Sequence, residues 1–157
     1  MISFNQICER FPDIENIIFI SESDEDPSRK TFLLNDIIIK SRKLDDDRSA
    51  HLRYNDLKEE YEILKLSEAV KGTPKALHYH KNELYELLFL SYLPGAQLRN
   101  LQLSFIQTVK VTLQVLKILV RLSGKGICHN DVTPQNVLLT NKNNASLVDF
   151  DQAVRTT

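Results

Sequence analysis

Hydrophobic positions in the first part of the chain come in short runs between polar segments. Asn16–Ile20 (NIIFI), Thr31–Leu34 and Ile37–Lys40 each read as a short strand. The last two are separated by Asn35-Asp36, a pair suited to the turn of a hairpin. An acidic, Pro-containing turn, SESDEDPSRK, lies between the first and second strands. After the third, KLDDDRSAHLR reads as a charged surface loop.

From Asn55 the pattern changes to helix. Leu57, Tyr61 and Leu64 recur at helical spacing, and Asp56 followed by Glu59 fits a capping box. At about 100° per residue, Glu59 and Glu62 point away from that apolar face while Glu60 flanks it. Gly72 and Pro74 are expected to end this element. Strands follow around Lys75–His80 and Tyr85–Leu90, and then Pro94-Gly95, a strong turn signal. Ser104 and Gln107 make a second capping box, opening a long helix that closes at Gly124. Gln107, Lys110, Gln114, Lys117 and Arg121 form one narrow polar stripe along it. The rest is apolar, so burial over most of the circumference is expected.

The end of the chain carries the most position-specific polar residues. After Asn136, VLLT reads as a strand, NKNN as a four-residue turn and ASLVDF as the returning strand. Pairing Thr140 with Ala145 sets Leu139 opposite Ser146, Leu138 opposite Leu147, Val137 opposite Val148 and Asn136 opposite Asp149. Opposed residues lie about 5 Å apart. A carboxylate and a carboxamide oxygen would then meet at the open end of the hairpin, hard ligands suited to Mg²⁺. Asp131 is placed to orient a substrate or accept a proton beside that metal. The alternative is a structural hairpin whose Asn-rich turn serves turn chemistry alone.

Composition narrows the classes. At 157 residues the chain has room for one domain or two small lobes. Its apolar and charged fractions, 42% and 26%, are those of an ordinary globular protein. Net charge is −1, and no basic stripe is interleaved with aromatics, which argues against nucleic acid as the main partner. Cys8 and Cys128 make neither a disulfide framework nor a CxxC site. The N-terminal MISFNQICERF is too polar for a signal peptide. The most apolar stretch, Phe105 to Leu122, is broken by Lys110, Lys117 and Arg121, so no membrane span is expected. These features imply a reduced, cytoplasmic compartment, although a secreted effector without a visible signal would read the same. His78 and His80 share a strand face but lack a third ligand, which fits an exposed strand end. Cys128 adjoins His129, yet neighbours on an extended segment face opposite ways, so no Cys–His dyad is expected. A Cys128 buried under the loop is.

His129-Asn130-Asp131 through Asn136, followed by Val148-Asp149-Phe150-Asp151, resembles the catalytic loop and metal motif of the protein-kinase-like superfamily. That superfamily includes protein kinases, aminoglycoside and choline phosphotransferases and the kinase-like domains of some lanthipeptide synthetases. The resemblance implies an α+β fold with a strand-rich N-lobe and hinge over 1–93 and a shortened helical C-lobe over 94–157, together one kinase-like domain. It also implies ATP and Mg²⁺ as cofactors. Lys40, ending Ile37-Ile38-Ile39-Lys40, would hold the α- and β-phosphates, with Glu60 of EYEILKL as its ion-pair partner. LLFLSYLPGAQL looks like the hinge, with Leu90 guarding the pocket and the backbone of Ser91, Tyr92 and Leu93 contacting adenine. Asp131 would orient the substrate hydroxyl and receive its proton. Asn136 and Asp149 would bind the metal, and His129 would pack under the loop and hold Asp149. Phosphoryl transfer suits such a site because its loose transition state mainly needs positioning and charge stabilisation.

The sequence departs from that pattern in five places. SESDEDPSRK has no Gly where a phosphate-cradling loop is usually Gly-rich, and Ser28, Arg29 and Lys30 are its compensating donors. Asn130 replaces the Arg of kinases switched by activation-loop phosphorylation, so no such switch is expected. Thr133 replaces a lysine usual in Ser/Thr kinases, and Asp151 replaces Gly and could add a metal oxygen. Little sequence follows Asp149 to form a peptide-binding floor, so the expectation is a minimal or truncated kinase, or one completed by a protein partner. Three readings follow: a minimal Ser/Thr protein kinase, a pseudokinase acting through a partner, and a small-molecule kinase.

Overall fold

The computed structural model describes residues 17–22, 29–44 and 56–156. Cys8 and MISFNQICERF, residues 23–28 of the acidic turn and most of KLDDDRSAHLR lie outside the described residues. The fold is α+β, as the resemblance implies.

Five strands, β1 (Ile17–Glu22), β2 (Arg29–Leu34), β3 (Ile37–Lys43), β4 (Ala76–Lys81) and β5 (Tyr85–Ser91), form one antiparallel sheet in the order β1-β2-β3-β5-β4. Asn35, at φ 51°, makes the β2–β3 turn, a conformation in which Asn costs less than most residues. Strand pairing puts Lys40 opposite both Thr31 and Leu88, so Lys40 shares a sheet face with the fully buried Leu88. Ile39 and Ser41 are buried on the other face. These five strands make one of two compact units.

The second unit contains helix α1 (Leu57–Leu66) and everything from Leu93 onward. Its later elements are β6 (Ala96–Gln97), a 3₁₀ turn (Leu98–Asn100), helix α2 (Phe105–Ser123), β7 (Ile127–Cys128), β8 (Val137–Leu139), β9 (Ala145–Leu147) and β10 (Val154–Arg155). Strands β6, β8 and β9 make a small sheet, and β7 pairs with β10. Helix α2 packs on β9 and β7, and Ile127, Leu147 and Phe150 complete the core.

Three sequence expectations need correction. Helix α1 stops at Leu66, well before Gly72. The Ser67 hydroxyl donates to the Leu64 carbonyl at 3.0 Å, and Val70 N–H donates to Ser67 O at 2.7 Å, folding the chain into turns. Gly72, at φ 92°, then offers its carbonyl to Leu147 N–H at 2.7 Å, with Ile118 Cδ1 only 2.8 Å from where a Cβ would stand. This is a position only Gly fits.

Helix α2 is not buried over most of its circumference. Only Val111, Val115, Ile118 and Leu122 are buried, whereas Phe105, Ile106, Val109, Leu113, Leu116 and Val120 are exposed. Apolar composition marks what could be buried, but burial also needs a neighbour, and β7 and β9 flank one side only.

The hairpin register is shifted by one. Val137 pairs with Leu147, Leu138 with Ser146 and Leu139 with Ala145, so Asn136 meets Val148 and not Asp149. The turn holds three residues, not four. Thr140 N–H bonds Asn144 O at 3.1 Å, Asn143 N–H bonds Thr140 O at 2.8 Å, and Asn143 takes φ 58°, which closes a three-residue loop. Gln114, from the polar stripe of α2, holds this turn. It donates to Asn143 O at 2.8 Å and accepts from Ala145 N–H at 2.9 Å.

Candidate active site

The segment from Ile127 to Asn136 alternates at first: Ile127 and His129 point inward, while Cys128 is exposed and donates its thiol to Asn130 Oδ1 at 2.9 Å. Cys128 is therefore not buried under the loop. The inward positions on either side of it are already taken by Ile127 and His129. Asn130, at φ 62°, reverses the chain, and its Nδ2 donates to Gln152 O at 3.1 Å, tying the loop to the segment beyond Phe150. No sequence signal marked Asn130 for this role beyond the tolerance of Asn for positive φ.

His129 is 2% exposed and bridges two strands of the site. Its Nδ1 accepts the Asp131 backbone N–H at 3.3 Å, so the proton sits on Nε2, which donates to Val148 O at 3.1 Å. The ring also meets Phe150 edge-on, with centroids 4.5 Å apart. Nε2 thereby holds the backbone of the residue before Asp149.

Asp131 is half-buried and Asn136 is 7% exposed. Asn136 Nδ2 donates to Asp131 Oδ2 at 2.6 Å and to Asp131 O at 3.1 Å. Both partners are acceptors, which fixes the amide orientation and leaves Asn136 Oδ1 as an oxygen for another ligand. The loop is closed by Thr133 N–H on Asp131 O at 3.1 Å and Asn136 N–H on Thr133 O at 3.0 Å. Val148 N–H on Asn136 O, at 2.9 Å, brings the returning strand alongside. Asp149 follows at φ 66°, half-buried, and turns the chain off the ladder immediately before the buried Phe150.

The donor set at this corner is one carboxamide oxygen and one carboxylate. Both are hard oxygens, and they fit Mg²⁺, which takes few protein ligands and fills its shell with phosphate and water. Among the described residues no cluster of three or more His, Cys, Asp or Glu could hold a metal, so a dedicated all-protein cage of that kind is not found there.

The remaining expected site residues fall in both units. Lys40, Ser91 and Tyr92 belong with the five-stranded sheet, and Glu60 and Leu93 with the second unit. Glu60 is 1% exposed and lies on the buried face of α1 with Leu57, Ile63 and Leu64, rather than beside it. The Tyr92 backbone N–H donates to Asp36 O at 2.9 Å, so that amide is already engaged. Elsewhere in the second unit, Glu62 on α1 receives Arg155 Nη2 of β10 at 3.0 Å, a link the sequence pattern did not suggest. His78 is exposed and His80 half-buried, and their rings lie against Phe89 and Tyr85.

Comparison with known proteins adds relatives. A family profile described as RIO domain matches residues 29–157. A stretch of 66 residues, 41% of this chain, is 38% identical to the probable serine/threonine-protein kinase glkA of Dictyostelium discoideum and covers 14% of it. Over 99 residues the chain is 26% identical to serine/threonine-protein kinase 1 of African swine fever virus, covering 59% of this chain and 33% of that one. Among solved structures, the bifunctional kinase-methyltransferase WbdD matches with TM-score 0.65 and 26% identity, over 83% of this chain and 31% of WbdD. The Cydia pomonella granulovirus kinase PK-1 matches at TM-score 0.65 and 16% identity, over 98% of this chain and 58% of that one, a likeness of fold. The chain spans about a third or less of the length of the two serine/threonine kinases it resembles.

Proposed function

The chain belongs to the RIO domain family of the protein-kinase-like superfamily, and from that premise we propose that it is an ATP- and Mg²⁺-dependent phosphotransferase acting on Ser or Thr hydroxyls of a protein. The observation that carries this reading is the 2.6 Å bond from Asn136 Nδ2 to Asp131 Oδ2. It holds one carboxylate oxygen of Asp131 in place while keeping Asn136 Oδ1 for a metal. The names of the relatives support a protein hydroxyl as acceptor.

In the proposed reaction Asp131 accepts a hydrogen bond from the substrate hydroxyl. The hydroxyl oxygen forms a bond to the γ-phosphorus as the bond to the β–γ bridging oxygen breaks. ADP leaves, and the hydroxyl proton ends on the Asp131 carboxylate. Lys40 neutralises phosphate charge. A carboxylate as buried as Glu60 calls for a cationic partner. Asn136 Oδ1 and Asp149 would hold Mg²⁺, which supplies charge neutralisation at the phosphates. The backbone of Ser91, Tyr92 and Leu93 receives the adenine, with Tyr92 offering only its carbonyl because its N–H is engaged by Asp36.

Incubation with γ-labelled ATP and Mg²⁺, reading label on the protein and on added protein substrates, tests this. Asp131→Ala should lower transfer by at least about a hundredfold, the usual worth of a positioned general base. Label that persists in Asp131→Ala, or that appears only on a metabolite, overturns the assignment. The Gly-free stretch SESDEDPSRK favours a second reading, a pseudokinase that works through a partner. Absence of both label and any Mg²⁺·ATP-dependent thermal shift would select it.

A further inference from the structure

Four residues on one face of the five-stranded sheet make a corner that carries charge of a single sign. Strand register sets Arg29 opposite Arg42 and Thr31 opposite Lys40. Directly opposed residues share a face and lie about 5 Å apart. Arg42 stands two residues beyond Lys40 on β3, about 7 Å along the strand. The diagonal from Lys40 to Arg29 is about 7–8 Å, a gap that long side chains bridge. The corner therefore holds three cations, Arg29, Lys40 and Arg42, and the Thr31 hydroxyl, all on half-buried residues. Lys30, expected among the donors that make up for missing glycines, pairs with Ser41 and falls on the other face.

Like charges directly opposite one another destabilise a sheet, and partial burial adds to the cost. Among the described residues of that face the one carboxylate is Glu86, opposite Arg42 on β5. Its Oε1 is taken by the Lys81 ammonium at 2.8 Å and the Tyr79 hydroxyl at 3.1 Å. Among the described residues no ion pair joins Glu86 to Arg42. Lys81 supplies the charge that the buried carboxylate needs, so Arg42 keeps its own. Arg42 Nε is buried with no hydrogen-bond partner among the described residues. A buried guanidinium nitrogen left in this way calls for an acceptor that the sheet itself does not provide.

We propose that Arg29 and Arg42 bind the phosphate chain of a nucleoside triphosphate beside Lys40, their side chains standing in for the backbone amides of a Gly-rich loop. The inference rests on the reading of Lys40 as a phosphate ligand given above. SESDEDPSRK has no Gly, so its backbone amides lack the close approach that phosphate oxygens need. A guanidinium needs no such approach, because it reaches out from the strand and offers two parallel N–H donors to two phosphate oxygens. Three cations spread over two strands match a chain of phosphates better than a single one. The anion in turn removes the repulsion between Arg29 and Arg42 and gives Arg42 Nε its acceptor.

The test titrates the full chain with Mg²⁺·ATP and, separately, with tripolyphosphate, read by calorimetry. Arg29→Met and Arg42→Met should each weaken both ligands by at least about tenfold, the usual worth of a charge-assisted hydrogen bond. Lys43→Met removes the same charge from the other face of β3, opposite Tyr85, and should change neither affinity. Without ligand, Arg42→Met should melt no lower than the parent chain, because it relieves a like-charge pair. A lower melting temperature would mark Arg42 as a structural cation and overturn the proposal. So would unchanged affinities in both Arg variants, an equal loss in Lys43→Met, or binding of neither ligand to the parent chain. Tripolyphosphate separates this inference from the phosphotransferase reading. Absent label transfer with tripolyphosphate binding that both Arg variants weaken would leave the phosphate site standing and sink the enzyme assignment alone. Label transfer with affinities that neither variant alters would do the reverse.

Discussion

At the scale of single residues, two buried polar side chains each engage two partners. His129 satisfies both the Asp131 amide and the Val148 carbonyl from a position 2% exposed. His129→Phe keeps a ring against Phe150 but strands both groups, so it should lower unfolding free energy by about 2–4 kcal/mol. Urea denaturation measures this. Glu86 is a second such case, 1% exposed, with its Oε1 held by Lys81 Nζ at 2.8 Å and the Tyr79 hydroxyl at 3.1 Å. Lys81→Met leaves that carboxylate with a weaker partner and should destabilise the sheet unit by about 1–3 kcal/mol, seen as a lower melting temperature. The nearness of Asp131 and Asn136 was legible from their spacing, whereas Asn136 opposite Asp149 was not observed, because the expected register was off by one. The role of Glu86 was not legible, because a Glu within an apolar strand gives no sign of which cation will reach it.

Among elements, helix starts were more legible than helix ends. Ser104 and Gln107 form the full reciprocal capping box on α2, with Ser104 N–H on Gln107 Oε1 at 2.9 Å and Gln107 N–H on Ser104 Oγ at 3.4 Å. On α1 the Asp56 carboxylate accepts Glu59 N–H at 2.7 Å. Caps are local, so a window of four residues contains the whole interaction. Ser104→Ala should cost about 1 kcal/mol, measured by chemical denaturation. The end of α1 and the turn of the β8–β9 hairpin depend on distant groups. Gly72 receives Leu147 N–H, and Gln114 clamps the turn across 29 residues of sequence. Gly72→Ala meets both the φ of 92° and Ile118, and should destabilise the second unit by more than the about 1 kcal/mol of an ordinary Gly-to-Ala change. Gln114 was read as one member of a polar stripe. Its partner could be known only once the hairpin had been placed on the helix.

Across the whole molecule, the chain divides into a sheet unit and a unit holding α1, α2 and the loop that carries Asp131 and Asn136. Buried apolar residues mark both: Ile39 and Leu88, on opposite faces of the sheet, in the first, and Leu122, Leu147 and Phe150 in the second. Hydrogen exchange should therefore be slowest at two separate places, β3 with β5 and α2 with β9. The edge strand β1, with Ile18 and Phe19 more than half exposed, should exchange sooner. The sequence by itself determined the helix starts, the five longer strands and the β8–β9 hairpin in chain order, because periodicity, caps and turn signals are local properties, while the two-residue strands β6, β7 and β10 left no such signal. Only the tertiary structure decided which face of α2 is covered, that Glu60 is buried, and that Asn136 lies against Val148 rather than Asp149. Burial depends on neighbours far away in sequence. Register depends on a turn whose length was settled by one Asn at positive φ and one Gln reaching over from a helix.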